Sequence, residues 1–337
     1  MKLLRATLCL ACFLPLAAAQ GQQLPESETT IRKSVNLVLV DVIVSDKKGN
    51  TLNGLRPQDL TLYDEMVPQP IAHMSQDVIP LAIALVVDAS SSMHVVFEPV
   101  RRALMRALPS LKPEDQVALF AFSGRTEFMS GLTRDTKRLS KLINRLSAMG
   151  MTNINDAIYD ATQYLRYAAP EARRIIILVS DLGGSGEVTH DHMEVEAAFV
   201  EADVSLFVVV PRMMNDVQRK AVRGSSETPL IPVNAPNPPH VYVPDLAEGS
   251  GGWLMQGYSE QGLQAAVEVV FQTLKTRYTL GFYPQSGGEA GTSRRLVVHI
   301  ANPRVEEVLP GAFVRYRRQY IVPRIETATA HKTLPQR

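Results

Sequence analysis

The stretch LVVDASSSMH, residues 85–94, places Asp88, Ser90, Ser91 and Ser92 at the mouth of an apolar run. Serine and aspartate fill a core poorly and are weak inside a helix, so their concentration here points to chemistry or to capping. Two later clusters share this character: Thr152 in GMTNIND, and Asp181 at the end of IIILVSD. Hydroxyls at alternate positions, Ser90 and Ser92, can present two oxygens to one cation, while Asp88 and Asp181 supply negative charge. Such an all-oxygen set suits a small hard cation such as Mg²⁺, with Mn²⁺ or Ca²⁺ as further candidates. With two carboxylates and three neutral hydroxyls, an ion held there would be short of negative charge, and so receptive to a carboxylate from outside. The competing reading is capping, because Ser, Thr and Asp start helices and each cluster precedes a helical pattern.

The elements that must position these residues follow from periodicity. LAIALVV, QVALFAF, RIIILVS and VSLFVVV are continuous apolar strands, and RTEFMS is a short strand beside the second. Phe97, Val100, Leu104 and Leu108 recur at helical spacing before Pro109, and helix patterns cover 134–147, 154–169, 191–202 and 259–275. Apolar strands separated by helices imply an α/β fold, a doubly wound and mostly parallel sheet covered on both faces. In such sheets ligands bind beyond the carboxyl ends of strands, where loops converge. The three polar clusters fall at such points.

In order and context, DASSS, GMTNIND and ILVSDLGG resemble the metal-ion-dependent adhesion site of von Willebrand factor type A domains, over residues 80–276. The resemblance implies that Ser90, Ser92 and Thr152 contact the ion directly and that Asp88 and Asp181 act mostly through water. The flanks LVLVDVIVSDKKGNTLNGLRPQDLTLYDE and RYTLGFYP are similar to bacterial von Willebrand-related proteins described chiefly from acidobacteria. That family has a β segment on each side of the A domain. Two departures stand out: the acidic turn near residue 65 reads YDEMVPQ, without glycine, and Leu182 follows Asp181 where the family has glycine.

The expected organisation is a signal peptide over 1–19, an N-terminal β segment over 30–77, the A domain over 80–276, a C-terminal β segment over 277–322 and a tail over 323–337. The two β segments are expected to pair into a smaller β domain. Residues 211–244 form a proline-rich excursion, either a plain loop or a partner-binding arm. MKLLRATLCLACFLPLAAAQ has a basic start, a short apolar stretch and small residues before Gln20, which reads as a secretory leader. The expected location is therefore periplasmic or extracellular. Removing Lys2 and Arg5 with the leader takes the formal charge from +1 to about −1, which gives no electrostatic case for nucleic acid. Cys9 and Cys12, the two cysteines of the chain, lie in that leader, so the remainder has no thiol for a disulfide or a nucleophile. No later stretch approaches the apolar length of a membrane span.

Weaker patterns have plainer readings. His190, His192 and Glu194 alternate, but alternate residues diverge on a helix, so they read as solvated helix-start residues. Glu187 and Asp191 read as helix caps, and the pairs Arg294/Arg295 and Arg317/Arg318 as solvated faces of terminal strands. No phosphate-binding loop, serine elbow, metalloprotease motif or nicotinamide fingerprint is found. The function expected from the resemblance is a non-catalytic, exported binding module whose cation takes an Asp or Glu from a protein partner. The alternatives are an assembly component that binds through its β domain or proline-rich arm, and a metal-assisted hydrolase. The oligomeric state is left open.

Overall fold

Alternate valines give β1 (Val38–Ser45) one inward face, on which Val38, Val40, Val42 and Val44 are all buried. The computed structural model describes residues 37–46, 49–76, 79–184, 187–212, 241–285 and 289–322. Residues 1–19, expected to be a leader, the tail at 323–337 and most of the proline-rich stretch, residues 213–240, lie outside the described residues.

After β1 come the short strands β2 (Leu60–Asp64), β3 (Val67–Gln69) and β4 (His73–Ser75). The α/β part then runs through β5 (Leu81–Asp88), α1 (Phe97–Ala107), β6 (Gln116–Phe122), β7 (Thr126–Thr133), α2 (Thr136–Ile143) and α3 (Ile154–Ala168). It continues with β8 (Arg173–Val179), α4 (His192–Ala202), β9 (Val204–Pro211), α5 (Val243–Gly249), β10 (Leu254–Gly257) and α6 (Glu260–Thr273). The chain closes with β11 (Tyr278–Phe282), β12 (Ser293–Ile300), α7 (Arg304–Val308), β13 (Phe313–Tyr316) and β14 (Gln319–Ile321).

The central sheet has the order β10-β9-β8-β5-β6-β7. All pairings in it are parallel except β6 with β7. All eight residues of β5 are buried, as a strand covered on both faces requires. Ile83, Leu85 and Val87 pack with Leu104, Leu139 and Phe271 of α1, α2 and α6. Ala84 and Val86 pack on the opposite face with Ile158, Leu165 and Phe199 of α3 and α4. This is the α/β, doubly wound, mostly parallel sheet expected from the sequence.

The terminal segments build the smaller β part. Its two sheets have the orders β13-β1-β11-β4 and β14-β12-β2-β3. They share one core, in which Val40, Val42, Leu62, Leu280, Phe282 and Leu296 meet. β1 pairs antiparallel with β11 and β13, so strands from before and after the α/β part lie side by side.

Two sequence expectations need correction. The stretch 211–244 does not stay irregular to its end, because α5 begins at Val243 and buries Val243, Leu246 and Ala247. Pro244 sits in its first turn, where the missing N–H costs nothing. Arg294 and Arg317 are not solvated: Arg294 pairs with the buried Asp64 at 2.8 Å, and Arg317 pairs with Asp203.

The turn near residue 65 also finds its explanation. Glu65 and Met66 take φ of 49° and 65° between the paired residues Asp64 and Val67. This is the two-residue, left-handed hairpin turn in which glycine or asparagine is usual.

Candidate functional site

Sheet order reverses about β5, which lies between β6 and β8. The crevice at the carboxyl ends of β5 and β8 is therefore a switch point, where helix-start loops diverge and leave room for a ligand. Three loops meet there: residues 89–96 after β5, residues 144–153 before α3, and, after β8, residues 180–184 and 187–191.

Asp88 is the last residue of β5 and is fully buried. Its Oδ1 accepts from the N–H of Ser90 at 2.9 Å and its Oδ2 accepts from the hydroxyl of Ser180 at 2.6 Å. Burial, with the nearby charge of Asp181 adding to it, pushes the Asp88 carboxyl above the usual carboxylate range, against the hydrogen bonds from Ser180 and Ser90 that pull it down. A cation near this carboxylate would offset that cost.

Ser90 is buried at the N-cap of a single 3-10 turn, Ser91–Met93, yet its side chain makes no capping bond. Its hydroxyl instead lies 3.1 Å from that of Ser92, which is exposed. Two hydroxyl oxygens thus sit together at the mouth of the crevice, with the Asp88 carboxylate behind them. Thr152 is buried in the second loop, and the N-cap of α3 is its neighbour Asn153, whose side chain accepts from the N–H of Asp156. The N-cap of α4 is Asp191, in a capping box with Glu194. At both helices the capping role belongs to residues other than Thr152 and Asp181.

The loops are tied pairwise. Ser91 joins the first to the second: its N–H donates to the carbonyl of Gly150 at 3.0 Å, and its hydroxyl accepts from the N–H of Gly150 at 2.9 Å. Ser180 joins the first to the third through Asp88. Asn153 joins the second to the third by donating to the carbonyl of Glu187 at 2.7 Å. Neither Ser91 nor Ser180 stood out in the sequence as a positioning residue. The signal for Ser180 was a hydroxyl directly before the strand-end aspartate.

Leu182, where glycine was expected, has φ of 62°. The loop therefore takes the left-handed turn that glycine favours, at a cost of roughly 1 kcal/mol for a side-chain-bearing residue. The Leu182 side chain packs against the core on the α3 and α4 face of the sheet, which offsets part of that cost. Its N–H donates to the Ser180 hydroxyl, and the N–H of Gly183 donates to Asp181 Oδ1 at 2.9 Å. This turn holds Asp181 at the crevice.

His190 and Glu194 are engaged separately, and His192 Nδ1 is buried without a hydrogen-bond partner among the described residues. The His190 ring stacks on Tyr159 with centroids 3.7 Å apart and faces Asp156 at 3.2 Å, while the Glu194 carboxylate turns back to the N–H of Asp191. Among the described residues no three His, Cys, Asp or Glu side chains gather as a metal cluster. What the loops bring together is the Ser90 and Ser92 hydroxyls and the Asp88 carboxylate, with the charge of Asp181 nearby; oxygen donors of this kind suit a hard cation.

Residues 83–185 match the family described as von Willebrand factor type A domain. Among curated proteins the chain is similar to mouse inter alpha-trypsin inhibitor, heavy chain 4, at 30% identity over 159 residues, which is 45% of this chain and 16% of that protein. The human inter-alpha-trypsin inhibitor heavy chain H4 is 28% identical over 178 residues, 48% of this chain and 18% of that protein. The chain thus spans less than a fifth of the length of these relatives. Among solved structures, a von Willebrand factor type A protein from Catenulispora acidiphila aligns with a TM-score of 0.45 at 10% identity, over 86% of this chain and 74% of that one.

Proposed function

Because the chain carries a von Willebrand factor type A domain, we propose that it is a non-catalytic protein-binding module that acts through a divalent cation. Asp88, Ser90, Ser92, Thr152 and Asp181 would hold the ion, with Mg²⁺ the first candidate and Mn²⁺ or Ca²⁺ next. Bound there, the cation supplies positive charge that an Asp or Glu of a partner protein would neutralise. The observation that carries this reading is the Ser90–Ser92 hydroxyl pair, 3.1 Å apart in front of the buried Asp88 and uninvolved in capping.

The surroundings of Asp88 make it a poor general base for a hydrolase at this site. A general base needs an accessible carboxylate oxygen, and both oxygens of Asp88 already accept hydrogen bonds inside the protein. The apolar leader at the start of the sequence supports export, to the periplasm or beyond. Among the described residues no helix is long and apolar enough to cross a membrane.

Affinity capture from an envelope extract tests the reading with three baits: the Mg²⁺-loaded protein, the same protein in EDTA, and Asp88→Ala. A protein retained by the first bait and lost from the other two supports it. Equal retention after chelation would instead favour binding through the β part or the proline-rich stretch.

A further inference from the structure

At the end of the sheet opposite the metal crevice, a cavity of about 240 Å³ lies between the β part and the starts of β8 and β9. Four arginines line it: Arg173 and Arg174 at the start of β8, Arg277 before β11, and Arg317 after β13. Two carboxylates face them. Asp41 of β1 is shared between Arg277, at 2.8 Å, and Arg173, at 3.1 Å, while Asp203 pairs with Arg317. A third acid, Glu171, stands exposed on the rim.

The inner wall therefore carries four guanidinium groups against two carboxylates. The side chains of Arg173, Arg277 and Arg317 are only 10%, 3% and 18% exposed, so water screens them little. Burying unbalanced positive charge is unfavourable unless something pairs with it.

Hydrogen bonding points the same way. Among the described residues seven buried side-chain nitrogen or oxygen atoms have no partner in the protein, and three of them belong to arginines of this wall: Arg174 Nε, Arg277 Nη2 and Arg317 Nε. Buried donors are normally satisfied, so these unpaired ones leave the wall short of acceptors; closed off from water, they lie behind the surface that lines the cavity and add to its positive potential rather than reaching into it. Burial lowers the pKa of Arg173, with Asp41 opposing and Arg277 reinforcing the shift. Burial does the same at Arg174, with Asp203 opposing and Arg317 reinforcing. Within the cavity the arginines repel one another, and an anion would relieve that repulsion.

The geometry points to a binding site for a small oxyanion, of the size and charge of inorganic phosphate, between the β part and the α/β part. Guanidinium forks match such oxygens in pairs. Arg277 and Arg317 come from the β part, and Arg173 and Arg174 from the α/β part. An anion there would therefore join the two parts, and binding would raise the stability of the whole chain.

The test is calorimetric titration of the full chain with inorganic phosphate in EDTA, at ionic strength matched with chloride, together with thermal denaturation. EDTA keeps the outcome independent of the metal crevice. Saturable binding of one phosphate per chain and a higher Tm in phosphate than in matched chloride are expected. Arg277→Gln should weaken binding by roughly tenfold, the loss of one charge-assisted pair. Ser205→Asp, at another residue lining the cavity, should supply a carboxylate internally, raise Tm and remove the response to phosphate; it decides the matter if Arg277→Gln does not fold. No saturable heat in the wild type, or unaltered phosphate binding by Ser205→Asp, would overturn the assignment.

Discussion

Ser91 and Gly150 hold each other by two hydrogen bonds, from the Ser91 N–H to the Gly150 carbonyl and from the Gly150 N–H to the Ser91 hydroxyl. They are 59 residues apart in sequence, and their pairing sets the first polar loop against the second. Ser91 is thus the clamp of the crevice, while its neighbours Ser90 and Ser92 offer their oxygens to it. Ser91→Ala should cost about 1 kcal/mol of stability, the worth of one hydrogen bond, and weaken Mg²⁺ binding severalfold without removing a donor from the ion. Denaturant unfolding and a metal titration on the same preparation check both parts.

Glu65 and Met66 form a left-handed hairpin turn without glycine, and Met66 is exposed, so little packing would be lost on replacing it. Met66→Gly should stabilise the protein by about 0.5 to 1 kcal/mol, because glycine takes positive φ without steric cost. A rise in the denaturant midpoint at unchanged slope is the expected result.

Asp64 is fully buried between β3 and β12, where it accepts from Arg294 at 2.8 Å and from the Tyr320 hydroxyl at 3.2 Å. Removing one partner of a buried pair strands the other charge. Asp64→Ala should therefore cost about 3 to 5 kcal/mol. Far-UV circular dichroism during thermal unfolding should show a large fall in Tm.

Asp156, in the first turn of α3, pins the third loop by accepting from the N–H groups of Thr189 and His190. Burial alone would push this carboxyl up, but the donors from His190, Thr189 and Asn153 outweigh it and hold the pKa below the ordinary value of 3.8. A carboxyl depressed in the folded state stabilises the fold above its unfolded pKa, and that stability is lost as pH falls through the folded pKa. Stability should thus decline on acidification below about pH 4. Asp156→Asn should be less stable at neutral pH and show a shallower acid limb. Chemical denaturation from about pH 2.5 to about pH 7, spanning the ordinary carboxylate range, measures both.

The sheet was legible in the sequence because its strands are buried on both faces. β5, β8 and β9 read as unbroken apolar runs, and the helices between them keep amphipathic spacing. The order of the three polar clusters was legible too, since strand ends and helix starts mark the loops. What stayed hidden depends on partners distant in the chain. Ser91 had no separate role in the sequence, because nothing near it announces Gly150. Arg294 and Arg317 read as solvated because their acids, Asp64 and Asp203, lie 230 and 114 positions earlier. α5 was missed because seven residues opened by a Val-Pro pair and closed by glycine leave little periodicity to detect. Leu182 shows the opposite limit: the sequence flagged the missing glycine, and the backbone takes the left-handed turn without it.

The central claim is that the Ser90–Ser92 hydroxyl pair in front of Asp88 holds a divalent cation. The most direct measurement is isothermal titration of the chelator-stripped protein with Mg²⁺, alongside Ser92→Ala, whose exposed side chain bonds, among the described residues, to Ser90. Its loss should leave the fold intact. Saturable binding of one Mg²⁺ by the wild type, weakened at least tenfold in Ser92→Ala at unchanged Tm, is the predicted result. Equal Mg²⁺ binding by the two proteins, or none by the wild type, would contradict it.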